Sequence, residues 1–124
     1  MRHLRKRNNL NRAADQQRAL MRSLARELIF HGQIKTTLSK AKVLRPFIEK
    51  ILTKAIKAVK TAEAVQKLHY LRLIRRELAA DVLEPLFEKA KLLIQRPGGY
   101  TRILKAEDRR GDNTQMALIQ ILGD

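Results

Sequence analysis

The residues able to do chemistry in this chain are mostly cations, and they crowd toward its start. Arg2, Arg5, Lys6, Arg7 and Arg12 stand in the first twelve residues, with His3 and Asn11 among them. Guanidinium groups grip phosphate oxygens two at a time and stack on bases, so this segment suits a nucleic acid. A solubilising or targeting tail would share the composition. Arg18, Arg22 and Arg26 follow at intervals of four, one face of a helix. Alone they would be a solvated face; with the basic start they make a footprint. Lys35, Lys40, Lys42 and Arg45 form a third group where a strand should meet a helix, whose first N–H groups favour phosphate. Ordinary surface charge is the alternative. Arg102, Arg109 and Arg110 surround a C-terminal hairpin, with Glu107 and Asp108 weakening the field beside them.

Other chemistries find little support. The chain has no cysteine, which removes disulfides, thiolate metal sites and thiol nucleophiles together. His3, His31 and His69 lack a metal-ligand spacing. Asp108 and Asp112 sit at turn positions, and Gly98-Gly99 is too short to cradle a phosphate. No nucleophile, base and orienting group assemble, so neither an enzyme, a cofactor, a metal nor a small-molecule substrate is expected.

The charge distribution narrows the partner. The formal net charge is +15 over 124 residues. Residues 1–62 hold 16 Lys and Arg against 3 acids, and residues 63–124 hold 11 against 9. Such self-repulsion favours a polyanionic partner, either nucleic acid or an anionic membrane. No apolar run approaches the roughly 20 residues of a spanning helix, and no apolar segment follows the basic start as in a secretory signal. A soluble, cytosolic protein is expected. The stretch 39–60 is basic and amphipathic, as an interfacial helix would be. Yet the chain has two Tyr, three Phe and no Trp, and its apolar faces are numerous enough to cover one another. Only Tyr100 could stack a base from a strand, so binding by backbone and shape to folded RNA fits best. Charge alone does not separate RNA from DNA, but a helix-turn-helix reader would need a compact three-helix body.

The elements that must hold these groups can be read in turn. Residues 1–12 show no period and too little apolar surface to offset ordering, so an arm disordered when free is expected. Fully extended, it would reach roughly 40 Å at about 3.3–3.6 Å per residue. The body's radius of gyration should be about 14 Å. A first helix begins near Asp15 as N-cap, with Leu20, Leu24 and Leu28 inward, and stops at Gly32. Residues 33–38 alternate as a half-buried strand. A long helix spans 39–60, with Pro46 expected to kink or restart it. Thr61 should cap a third helix carrying Val65, Leu68, Leu71 and Ile74. A fourth covers 81–95. Residues 100–105 and 114–122 then read as two strands joined by a polar loop. The fold class is therefore α+β in two layers, order α-β-α-α-α-β-β, with a three-stranded mixed sheet packed against helices. Residues 13–124 form a single RNA-binding domain behind the arm.

Several motifs, in order, carry a more specific likeness: Met1-Arg2-His3, Leu10-Asn11-Arg12, Ile34-Lys35-Thr36-Thr37-Leu38, Lys40-Ala41-Lys42, Gly98-Gly99-Tyr100-Thr101-Arg102-Ile103-Leu104-Lys105 and Arg109-Arg110-Gly111-Asp112-Asn113. Together they resemble the bacterial large-subunit ribosomal protein seventeen family from residue 1 to about residue 122. The resemblance implies a structural constituent of the large ribosomal subunit, in the bacterial cytoplasm, whose body sits on the subunit surface while the basic extension enters ribosomal RNA. It also implies contact with neighbouring proteins, among them the small zinc-ribbon protein thirty-two. By motif, Arg2, His3, Arg12, Lys35, Lys40 and Lys42 would face RNA, with Arg102 and Arg110 beside them. A free-standing nucleic-acid regulator and a membrane-surface protein are the readings this resemblance displaces.

Overall fold

The structure is a computed structural model that describes residues 9–123. Its order is α1 (Ala14–His31), β1 (Gln33–Thr37), α2 (Leu38–Lys60), α3 (Ala64–Arg75), a 3-10 turn (Ala80–Val82), α4 (Leu83–Leu93), β2 (Thr101–Ala106) and β3 (Met116–Ile121). The expected α+β class and element order hold.

Helix α2 is the axis of the body. Its 23 residues span about 34 Å at about 1.5 Å per residue. Ala41, Leu44, Ile48, Ile51, Leu52, Ala55, Ile56 and Ala58 are buried along it. That face meets α1, α3, α4 and the sheet. The helix runs unbroken through Pro46, with no restart. The proline withholds the N–H that would bond the Lys42 carbonyl, but both residues lie on the exposed side. The helix starts one residue before the expected position, and Thr37 supplies the N-cap, its hydroxyl accepting from the Lys40 N–H at 3.4 Å. Thr61 closes α2 rather than opening α3: its N–H and hydroxyl both donate to the Lys57 carbonyl, at 3.1 and 2.8 Å.

Two further boundaries differ from the sequence reading. Ala13 precedes α1 without a side-chain cap, and Asp15 lies inside the first turn, where it complements the helix dipole. Helix α3 buries only Ile74; Val65 is 80% exposed and Leu68 46%. Its early apolar residues reach past the edge of α2 into solvent. Pro85 is harmless because it falls in the first turn of α4, where its missing N–H has no helical acceptor anyway.

The sheet has the order β1-β3-β2 and is antiparallel throughout, not mixed. The β2–β3 hairpin inserts β3 between the outer strands, so β1 never lies beside the strand it parallels. Ile34, Thr36, Ala117, Ile119 and Ile121 face the helices. The opposite face carries the cross-strand rows Gln33–Gln120–Arg102, Lys35–Leu118–Leu104 and Thr37–Met116–Ala106. No helix among the described residues covers it, and Leu104 is 43% exposed.

Candidate nucleic-acid interface

One end of the sheet gathers the third basic group. Lys35 projects from the outer face of β1, and Lys40, Lys42 and Arg45 occupy the first two turns of α2. The Leu38 N–H donates to the Gln115 carbonyl at 3.0 Å, which ties the start of α2 to the β2–β3 loop. That loop brings Arg109 and Arg110 into one shallow depression with Lys35, alongside Glu107 and Asp108. Among the described residues, none of the side chains of Lys35, Lys40, Lys42, Arg45 or Arg110 forms an ion pair. No acid occupies the first turn of α2, whose N-terminal dipole end is positive as well. The only acid in α2, Glu49, is engaged elsewhere. It accepts from the Tyr100 N–H, the Thr101 N–H and the Thr101 hydroxyl at 3.2, 2.9 and 2.7 Å, clamping β2 to the helix.

Arg109 differs from its neighbours. It forks onto Asp112, Nη2 to Oδ2 at 2.6 Å and Nε to Oδ1 at 3.2 Å. The guanidinium, with the Thr114 hydroxyl and N–H, holds the Asp112 carboxyl well below its usual range, and Asp112 in turn raises Arg109. The pair shapes the turn through Gly111 and Asn113, both at positive φ.

The helical stripe on α1 also divides. Arg18 is exposed. Arg22 pairs with Glu77 at 3.4 Å and donates to the Arg76 carbonyl at 2.9 Å. Arg26 pairs with Asp81 at 2.6 Å, and its guanidinium lies 4.9 Å from the centre of the Phe30 ring. Both arginines tie α1 to the segment after α3, each still about two-fifths exposed. Arg102 stands apart on β2, at the other end of the outer sheet face from Met116 and Ala106.

Of the basic start, Asn9–Arg12 form a turn, with the Arg12 N–H donating to the Asn9 carbonyl at 2.9 Å. Leu10 packs against the core from a positive φ. Asn11 and Arg12 therefore sit exposed on the body's surface. Arg2, His3, Arg5, Lys6 and Arg7 lie outside the described residues. Tyr100, the one candidate for base stacking from a strand, is 6% exposed. The described outer face of the sheet therefore presents cations and aliphatic groups, with no Phe, Tyr or Trp for a base to stack on.

The model of the family described as ribosomal protein L17 matches residues 20–122. The chain belongs to the ribosomal protein L17 family. Among its relatives named large ribosomal subunit protein bL17, that of Persephonella marina is 46% identical, covering 98% of this chain and 95% of the relative. Those of Gemmatimonas aurantiaca and Fervidobacterium nodosum are 43% and 41% identical, again over 98% of this chain and 98% and 99% of the relatives.

Within this family member, sequence reasoning missed two kinds of residue. Glu49 is one acid in a basic helix, and only packing shows it bound to Tyr100 and Thr101, about fifty residues on. Lys89 and Arg96 carry no motif or period, yet the fold brings them near Arg102.

Proposed function

We propose that this chain, by family a structural protein of the large ribosomal subunit, binds and stabilises folded ribosomal RNA in the bacterial cytoplasm. The observation that carries the reading is the set of unpaired cations around the start of α2: among the described residues Lys35, Lys40, Lys42 and Arg45 form no ion pair, and the helix end beside them has the same sign. Each phosphate such a group neutralises releases counterions, so affinity falls steeply with salt. Asn11, Arg12, Arg18, Arg102 and Arg110 extend this surface. Arg2, His3, Arg5, Lys6 and Arg7 add phosphate contacts from the arm. The apolar side of α2 lies in the core, so it has no free face to insert into a membrane interface. Among the described residues, no helix is long and apolar enough to cross a membrane. Neighbouring subunit proteins, including protein thirty-two, would meet the body on the uncovered sheet face around Leu104, Met116 and Leu118.

The test removes residues 2–8, ahead of the turn from which Leu10 packs on the core, and measures binding to protein-free bacterial large-subunit ribosomal RNA across a salt series. The body should stay folded, while affinity and the steepness of the salt dependence both fall. Unchanged binding would sink the arm's role. If the full chain runs at the top of a sucrose gradient of lysate, away from the large subunit, the ribosomal reading fails with it.

A further inference from the structure

A second basic surface lies at the opposite end of the sheet from the start of α2. There, the end of α1, the last turns of α4 and the row Gln33–Gln120–Arg102 enclose a cleft of about 570 Å³. Gly32 makes this junction possible. It ends α1 in the left-handed region, at φ 76°, and its carbonyl accepts from the Ile121 N–H at 2.9 Å, so the chain passes straight from helix into sheet. A side chain there would press on the Lys89 ammonium, 3.1 Å from the position a Cβ would take. Lys89 is thus held over the backbone of Gly32 rather than extended into solvent. Arg96 follows α4, its N–H bonded to the Leu93 carbonyl at 3.0 Å. Arg102 enters from β2, in a row braced by the Gln120 side-chain amide donating to that of Gln33 at 3.0 Å.

The end of α4, the segment that follows it and the start of β2 therefore bring three cations to one cleft. Among the described residues no carboxylate lines it, and Lys89, Arg96 and Arg102 form no ion pair. His31, at its rim, bonds Glu27 one turn back along α1, at 3.2 Å. Like charges gathered without a counter-charge disfavour the free protein and favour a polyanion. The described lining is mostly polar and holds no Phe, Tyr or Trp, unlike the apolar pockets that bury small ligands. Phosphate groups satisfy its cations.

We infer that the cleft of Lys89, Arg96 and Arg102 is a second phosphate-backbone site. With it, the body holds RNA at both ends of its sheet, separated by about 13 Å of β1 at about 3.3 Å per residue. The inference rests on the RNA-binding reading above and adds a place to it. Its test compares the full chain with the triple variant Lys89→Gln, Arg96→Gln, Arg102→Gln in binding protein-free bacterial large-subunit ribosomal RNA between about 50 and 200 mM salt. Glutamine keeps most of each stem, so packing is preserved. A charge-matched variant, Lys67→Gln, Arg72→Gln, Lys91→Gln, loses the same charge elsewhere. The cleft variant should bind at least tenfold more weakly, with a log–log salt slope shallower by about 2, since each lost phosphate contact removes about 0.7–0.9. The charge-matched variant should keep its slope within about 1 of the parent. A cleft variant that matches the parent, or a charge-matched variant that falls as far, overturns the inference while leaving RNA binding intact. A parent chain with no salt-dependent RNA binding overturns the reading beneath it.

Discussion

Two groups of basic residues in this protein look alike in sequence and behave differently in the fold. Arg22 and Arg26 on α1, joined at one depression by Arg75 and Arg76, face Glu77 and Asp81. Lys35, Lys40, Lys42 and Arg45, around the start of α2, face no acid at ion-pair distance among the described residues. The first group therefore does part of its work inside the molecule, holding α1 against the segment after α3. The second has no internal work. Periodic spacing reports only that cations share a face; whether their charge is available depends on which acids the chain folds back onto them.

The largest expected effect is on the second group. Replacing Lys35, Lys40, Lys42 and Arg45 with Gln should weaken ribosomal RNA binding about a hundredfold near 0.1 M salt, with a slope shallower by about 3. Thermal stability should stay within about 0.5 kcal/mol, as for surface changes away from special contacts. Filter binding and calorimetry read the two quantities separately. Intact RNA affinity would break the comparison at its stronger side.

Next comes the acid that leaves the start of α2 unneutralised. Glu49 is withdrawn from the lysines by its three bonds to Tyr100 and Thr101. Glu49→Gln converts charge-assisted bonds to neutral ones and leaves at least one N–H poorly matched. It should cost about 2–3 kcal/mol, a drop on the order of 10 °C in Tm. RNA affinity measured well below the transition should hold. A stability change under about 0.5 kcal/mol would mean that the clamp contributes little.

The smallest effect sharpens the contrast from the other side. Arg22→Gln with Arg26→Gln removes two exposed ion pairs, each worth about 0.2–1 kcal/mol, and a cation–π contact worth about 0.5–1 kcal/mol. Urea unfolding should show a loss of about 1–2 kcal/mol, and the salt slope for RNA should change by less than about 1. A slope that falls as far as in the quadruple variant would place both groups on the RNA and erase the distinction.

Much of the fold was legible before any coordinates. The 3.6-residue period of Leu44, Ile48, Ile51, Leu52 and Ala55 marks the inner face of α2, and the alternation of Gln33–Thr37 marks the half-buried β1. Gly32 stops α1 as a residue free to take positive φ does. Boundaries were less legible where one residue lies between two helices: Thr61 turned back to α2 instead of opening α3. The exposure of Val65 and Leu68 was not legible, because an apolar stripe does not say how far the neighbouring helix extends to cover it.

By itself, the sequence determined the sign and the concentration of charge and the α+β order, since composition, periodicity and spacing are local properties. Only the tertiary structure decided the antiparallel insertion of β3 between β1 and β2, the binding of Glu49 to β2, and the pairing of Arg22 and Arg26 with Glu77 and Asp81. It alone brought Lys89, Arg96 and Arg102 to one cleft. The ion pairs and the Glu49 bonds join residues about fifty apart in the chain, and all of these contacts depend on distance in space, which no spacing along the chain encodes.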